Sequence, residues 1–213
     1  MIELVVFDLG RVLVRLCGSW VDACDIAGVA RPAKDWPLRD EDTRRELDAL
    51  CGLLDTAEID FDTFARDAAP LCGLTADALI KLQQNYLRGP CPGAAELIDE
   101  LHAAGVKTAC LSNTYDLHWK QVLDPSDPNY FPLDKLTWQF ASYQLRLRKP
   151  DDAIYDHVER TTRVPPERIV FFDDLEANII PARRRGWNAY LIRTDSDPIA
   201  QARTHLRAHG VLR

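Results

Sequence analysis

Several things are scarce in this chain, and each scarcity narrows what it can be. No apolar run approaches the length of a membrane-spanning helix. The six cysteines, at 17, 24, 51, 72, 91 and 110, form no CxxC pair and no His/Cys zinc spacing. Free, mostly buried thiols in a reduced, cytoplasmic setting are therefore expected. Basic residues are in the minority, 26 against 33 acidic, for a net charge of −7. That balance argues against a general nucleic-acid binder, which carries a basic face. The cluster Arg183-Arg184-Arg185 reads instead as a solvated helix face. The apolar start is too short for a signal peptide and carries Glu3 and Asp8, so none is expected. Neither a nucleic acid nor a membrane is expected as a partner. No repeat or low-complexity segment is present, and no heptad or exposed apolar stripe marks an oligomer interface.

What is present starts within the first ten residues. Leu4, Val5, Val6, Phe7 and Leu9 flank one carboxylate, Asp8, and Gly10 follows. A short apolar run ended by Gly reads as a buried strand of the kind found in parallel sheets. Ligands of such sheets bind beyond the carboxyl ends of the strands. Asp8 sits near that end. A bare carboxylate there is costly unless it is paired or binds a cation; taken alone, it also reads as a helix N-cap or turn acceptor.

At 213 residues the chain fits one domain, or one core with an insertion, and needs no staples. From Arg15 to Arg88 strand signals vanish. Apolar residues fall at helical spacing, as in Leu47, Leu50, Leu53, Leu54 and Ile59, Phe61, Phe64, with breaks at Arg31-Pro32, Trp36-Pro37 and Pro70. About four short helices are expected, with Asp60 and Thr75 as N-caps before 61–68 and 76–87. Pro92-Gly93 then opens a helix over 94–104, ended by Gly105. Strands are expected at 106–111, 137–141, 168–172 and 187–192. Helices are expected at 115–122, from Asp151 to about Arg163, at 178–185 with Pro181 tolerable only in the first turn, and at 198–209. The expected fold is α/β: a doubly wound parallel sheet, Rossmann-like, from 1–14 and 89–213, with a helical cap inserted at 15–88.

Right-handed crossovers put all the strand ends on one face. Asp8, Ser112-Asn113, Lys149 and Asp173-Asp174 therefore converge there. Taken singly, Ser112-Asn113 reads as a turn and Lys149-Pro150 as a solvated loop. Asp173-Asp174 after a buried strand is harder to set aside, because adjacent acids repel unless a cation or base lies between them. Three carboxylates, a hydroxyl, an amide and a lysine suit phosphoryl chemistry. Carboxylates hold Mg²⁺, Lys and Ser hold phosphate oxygens, and one carboxylate can attack phosphorus.

Together the stretches Phe7-Asp8-Leu9-Gly10-Arg11-Val12, Leu111-Ser112-Asn113-Thr114, Arg148-Lys149-Pro150 and Phe171-Phe172-Asp173-Asp174-Leu175-Glu176-Ala177-Asn178 resemble a known family. They look like the four motifs of the haloacid dehalogenase superfamily of aspartyl-phosphate phosphatases. Pro92-Gly93, and Ala182 with Gly186, match as well, so the resemblance covers almost the whole chain. It points to the branch with glucose-1-phosphate phosphatase-type enzymes and the epoxide hydrolase N-terminal phosphatase domain. The resemblance implies Asp8 as nucleophile and Mg²⁺ ligand, with the Gly10 carbonyl as a second ligand. Ser112 and the Asn113 backbone would bind the phosphoryl group, and Lys149 would pair with Asp8 and the phosphate. Asp174 would bind Mg²⁺ directly, Asp173 directly or through water, and Asn178 would orient the second acid.

One departure matters. Phosphatases of this family usually carry a second Asp two positions after the nucleophile, where this chain has Gly10. General acid–base help is worth ~10²–10⁴-fold. Either the leaving group departs easily, as an anomeric or aryl phosphate does, or Asp116 or His118 substitutes, or the site turns over little. The leading expectation is a Mg²⁺-dependent phosphomonoesterase on a small metabolite, a sugar phosphate. A 2-haloacid dehalogenase and a catalytically weak phosphate-binding or regulatory domain are the alternatives. Trp20, Trp36, Arg39, Arg44 and Arg45, in or near the cap, read as packing or surface residues.

Overall fold

In the computed structural model, residues 1–31 and 40–213 are described. The chain runs β1 (Leu4–Phe7), β2 (Val14–Leu16), α1 (Trp20–Ala27), α2 (Glu41–Asp55), α3 (Phe61–Leu71), α4 (Ala76–Gln84) and β3 (Leu87–Pro90). It continues through α5 (Ala94–Ala103), β4 (Lys107–Ser112), α6 (Asp116–Leu123), β5 (Trp138–Ala141), α7 (Ser142–Leu145) and α8 (Asp152–Thr162). It closes with β6 (Ile169–Asp173), α9 (Glu176–Arg184), β7 (Asn188–Leu191) and α10 (Pro198–Ala208).

All four residues of β1 are buried. Side chains alternate across a strand, so the two faces of β1 feed two cores. Val5 and Phe7 pack with Cys110, Val170 and Phe172. Leu4 and Val6 pack with Ala109, Leu111 and Phe171. A strand apolar on both faces needs cover on both. Leu97 and Leu101 of α5, with Ile199 and Leu206 of α10, cover the first face. Ile154 and Val158 of α8, with Ile179 and Ala182 of α9, cover the second.

The strands form one parallel five-stranded sheet in the order β5-β4-β1-β6-β7. The chain winds outward from β1 through β4 to β5, then returns to the other side of β1 for β6 and β7. This reversal opens a crevice at the carboxyl end of β1, the position where doubly wound sheets bind ligands. Phe7 lies opposite Cys110 and Phe172. Asp8 and Asp173 are each one step further along their strands, and Ser112 closes β4. The Rossmann-like α/β fold expected from the sequence is the fold observed.

The block from α1 to α4 has its own small core of Leu47, Leu54, Phe64, Ala68 and Leu79, joined by Tyr115 from the sheet region. Asp60 and Thr75 cap α3 and α4 as expected, accepting from the Thr63 and Ala78 amides. The absence of strand signals from Arg15 to Arg88 was misleading at both ends. β2 and β3 pair antiparallel, Val14 against Pro90 and Leu16 against Leu87, so α4 stops at Gln84 instead of running to Leu87. Three- and four-residue strands are too short to show a period of two. Gly89 of β3 has φ +79°, and a Cβ there would lie 3.3 Å from the Pro128 carbonyl oxygen, so the sequence needs glycine at that point.

Two prolines also differ from expectation. Pro70 lies in the last turn of α3 and does not break it, since it is exposed and the helix ends one residue later. Helix α9 starts at Glu176, which moves Pro181 beyond the first turn. The carbonyl it leaves without an intrahelical donor belongs to exposed Ala177, where water can serve. Arg185 corrects the reading of the arginine cluster as a solvated face. It is 19 % exposed and pairs with Glu159 at 2.9 Å and with Asp156, tying α9 to α8. Pro32, Trp36, Pro37 and Arg39 lie outside the described residues. The six thiols are free, five of them buried. No helix among the described residues is long and apolar enough to cross a membrane.

Phe7 and Phe172 stack across β1 and β6 with ring centroids 5.5 Å apart, both fully buried. Phe172→Ala is expected to lower stability by about 3–5 kcal/mol in urea denaturation. A loss below about 1 kcal/mol would contradict this packing.

Candidate active site

Lys149 is the centre of the crevice. Its side chain is 1 % exposed, and its Nζ lies 2.8 Å from Asp8 Oδ1 and 2.6 Å from Asp173 Oδ2. A buried ammonium is tolerable only when opposite charges and hydrogen bonds compensate its lost hydration. Burial pulls the Lys149 pKa down, but Asp173 and then Asp8 pull harder the other way and hold it above the usual lysine range.

The carboxylates are placed with equal care. Asp173 ends β6, and both of its oxygens are engaged. Oδ2 meets Lys149, while Oδ1 accepts from the Leu175 amide and from Asn178 Nδ2, each at 2.9 Å. Asn178 thus orients the first acid of the pair. Asp174 keeps one ion pair, 3.6 Å from Arg11. Burial, then Asp173, raise its pKa. Burial also pushes Asp8 up to about 7, with Lys149 opposing and Asp173 and Asp174 adding to the rise. One ligand atom from each of Asp8, Asp173 and Asp174 lies within 4.8 Å of the others. Three carboxylates around one ammonium carry two surplus negative charges when ionised. Arg11 offsets part of that surplus; a hard divalent cation would fit the remainder.

The loop carrying Lys149 is held from below. Asn113 Nδ2 donates to the Lys149 carbonyl at 2.8 Å, and the Lys149 amide donates to Asn113 Oδ1 at 2.9 Å. The Asn113 side chain therefore clamps the lysine's backbone, a role its motif position did not reveal. Ser142 was not singled out in the sequence. Its Oγ accepts from the Thr114 amide at 2.9 Å and donates to the Thr114 carbonyl at 3.0 Å, bracing the turn after β4. Ser112 Oγ has only a long contact, 3.5 Å to the Asn113 carbonyl.

A second tie comes from the helical block. Asp55, at the end of α2, lies 3.3 Å from Arg148. Gly52 one turn earlier leaves room for that guanidinium, since a Cβ there would collide with Arg148 Nη1. Burial raises Asp55 to about 6, against Arg148 and Lys149. No sequence pattern links residues so far apart in the chain.

Gly10 is not demanded by the backbone. Its φ is not in the left-handed region, whereas the next residue, Arg11, has φ +58°. A Cβ on Gly10 would lie 3.2 Å from Leu16 Cδ1, the flexible end of a side chain. Of the two candidate substitutes, Asp116 is turned away: it is exposed and paired with Lys120 at 2.6 Å. His118 is near, lining a cavity of about 180 Å³ with Gly10, Leu16, Tyr86, Ser112 and Asn113. Arg44 and Arg45 are exposed, and Trp20 packs in the helical block.

A family model described as a haloacid dehalogenase-like hydrolase matches residues 2–186. Solved structures share the fold. A HAD family enzyme from Bacteroides thetaiotaomicron, in complex with magnesium and inorganic phosphate, is 21 % identical with a TM-score of 0.72, over 92 % of this chain and 97 % of that one. A HAD-like family hydrolase from Porphyromonas gingivalis is 22 % identical with a TM-score of 0.76, over 97 % and 98 %. L-2-haloacid dehalogenase from Xanthobacter autotrophicus, with chloropropionic acid covalently bound, is 23 % identical with a TM-score of 0.60, over 90 % and 78 %.

Burial pushes the His118 imidazole down to about 4 from an ordinary 6.5, against a hydrogen bond to the Gln83 backbone. Between those values the unfolded chain holds a proton that the folded ring refuses. This ring's contribution is therefore fully present above pH 6.5 and is lost as pH falls towards 4. His118→Gln removes the titration and keeps a side-chain amide. Between pH 7 and 5 the native protein should lose about 1–2 kcal/mol more stability than His118→Gln in urea denaturation. Equal losses would mean that the ring is hydrated and ordinary.

Proposed function

The chain belongs to the haloacid dehalogenase-like hydrolase family, and on that premise we propose that it is a Mg²⁺-dependent phosphomonoesterase acting on a small phosphate ester, a sugar phosphate, with Asp8 as nucleophile. The observation that carries this reading is the surplus of carboxylate around Lys149 at the switch point of the sheet. A site for a neutral substrate has no need of three crowded acids. A site for a phosphate dianion with a divalent cation does.

In this reading Lys149 turns the Asp8 carboxylate and offsets charge on the incoming phosphate. One Asp8 oxygen attacks phosphorus, the bond from phosphorus to the ester oxygen breaks, and an aspartyl-phosphate forms. Water then cleaves that intermediate to inorganic phosphate and restores Asp8. Ser112, whose hydroxyl has only a weak internal contact, and the Asn113 backbone hold phosphoryl oxygens. Asp8, Asp174 and the Gly10 carbonyl would hold Mg²⁺. Asp173, with both oxygens already engaged, positions Lys149 and would add its charge to the metal site. When bound, Mg²⁺ neutralises the phosphoryl charge that would repel a carboxylate. We assign 1–14 and 89–213 to the core and 15–88 to a helical cap that shields the crevice from water. The same reading gives the protein a small-molecule partner, neither nucleic acid nor membrane, and a cytoplasmic setting.

Gly10 places no proton donor beside the ester oxygen, so esters with good leaving groups, anomeric and aryl phosphates, should turn over fastest. Phosphate release from hexose phosphates and p-nitrophenyl phosphate should require Mg²⁺, stop with EDTA and fall at least about 10³-fold in Asp8→Asn. A retained rate in Asp8→Asn would remove Asp8 as nucleophile. Metal-independent chloride release from 2-chloropropionate, with no phosphate release, would make the protein a dehalogenase. Mg²⁺ binding without any turnover would leave a phosphate-binding domain.

A further inference from the structure

The cavity beside Ser112 and Gly10 holds polar groups that the proposed reaction does not use, His118 among them. His118 Nε2 lies 2.9 Å from the Gln83 carbonyl oxygen and 3.1 Å from the Tyr115 hydroxyl. A carbonyl only accepts, so Nε2 carries the ring proton. The Tyr115 hydroxyl donates to Gln83 Oε1 at 2.9 Å, which leaves its oxygen free to share that proton. In the neutral ring Nδ1 is then a bare acceptor. Among the described residues nothing donates a hydrogen bond to it.

The ring has little freedom to do otherwise. Tyr86 stacks on it at 6.1 Å and 8°, and the Tyr115 ring packs 4.5 Å away. Burial keeps it unprotonated at neutral pH, which removes it as the acid that Gly10 lacks. Held in place and uncharged, with no protein donor on its Nδ1 among the described residues, His118 lines a cavity whose walls also include Leu16, Leu87, Tyr86 and Thr114. Val14, Leu16 and Leu87 on one part of the wall, with His118 and Thr114 among its polar groups, suit the carbon face and hydroxyls of a polyol.

We propose that His118 is a specificity-determining residue whose Nδ1 accepts a hydrogen bond from a hydroxyl of the leaving group, selecting phosphate esters of sugars over aryl esters. The proposal rests on the phosphatase reading and names the substrate class within it. A site built to bond a hydroxyl discriminates against an analogue lacking it, because its polar group is then left unpaired. Gly10 belongs to the same design. A side chain there would start 3.2 Å from Leu16 Cδ1, at the wall of the seat the sugar needs.

Two substitutions separate recognition from structure. In His118→Gln the side-chain amide can still donate to the Gln83 carbonyl, but no acceptor stands at the place of Nδ1. In His118→Asn the amide oxygen stands near the place of Nδ1, but nothing reaches Gln83. The measurement is the ratio of kcat/KM for the best of a panel of hexose phosphates to kcat/KM for p-nitrophenyl phosphate, with thermal melting to verify folding. The ratio should fall about 10–100-fold in His118→Gln and stay within a few-fold of native in His118→Asn. A ratio kept in His118→Gln, or lost only in His118→Asn, would assign His118 a purely structural role. Native hydrolysis of p-nitrophenyl phosphate without hydrolysis of any hexose phosphate would overturn this proposal and the sugar-phosphate substrate, and leave a phosphomonoesterase with Asp8 as nucleophile standing. No hydrolysis of either would remove both.

Discussion

A lysine without water is the constraint on which the crevice depends. Lys149 contacts two carboxylates from two different strand ends, and neither acid would be stable there alone. Removing Lys149 strands two carboxylates without their counter-charge, which costs several kcal/mol, and removing either acid leaves the lysine with one partner instead of two. The elements that carry them are therefore locked in register: β1 through Asp8, β6 through Asp173, and the loop before α8 through Lys149. The supporting hydrogen bonds follow the same logic. Asn113 holds the lysine's backbone, and Asn178 and Leu175 hold the far side of Asp173. Rigidity at the site is thus a by-product of neutralising charge in a dry place.

The excess of acid over base has the opposite effect. With Asp174 added, the cluster holds more negative charge than Lys149 and Arg11 balance comfortably, and the neighbouring acids add to the rise that burial already imposes on the Asp8 and Asp174 pKa values. A cluster under that tension is poised to gain from a cation. Arg11, in its left-handed backbone conformation, reaches Asp174 only to 3.6 Å. That leaves Asp174 the least committed of the three acids.

The sequence disclosed what depends on local pattern and concealed what depends on distant meetings. Runs such as Leu4–Phe7 and Ile169–Phe172 announced buried parallel strands because every residue in them is apolar. Asp8, Ser112, Lys149 and Asp173-Asp174 were visible because topology sends all strand ends to one face. The β2–β3 ribbon was not visible, since it is too short for a period and Gly89 disguises it. The Asp55–Arg148 pair and the Ser142 brace were not visible either, because each joins residues far apart whose own neighbourhoods carry no signal. Asn113 was seen for its backbone, while its side chain turned out to clamp Lys149. His118 was legible as a candidate, but the proton on Nε2 follows only from the carbonyl it faces.

The paired strands β2 and β3 set where the helical block leaves the sheet and where it returns. Leu16 and Leu87 are partners in one ladder, so more than sixty residues of chain begin and end side by side. A segment whose ends already touch imposes almost no strain on its host, whatever its length. The backbone connection therefore transmits little from the block to the sheet, and what coupling there is runs through side chains such as the Asp55–Arg148 pair and the His118–Gln83 contact. Helices there can lengthen or shorten while the lysine and its acids stay where they are, provided Asp55 and Gln83 keep their places. Change of length is cheap on one side of the crevice and costly on the other.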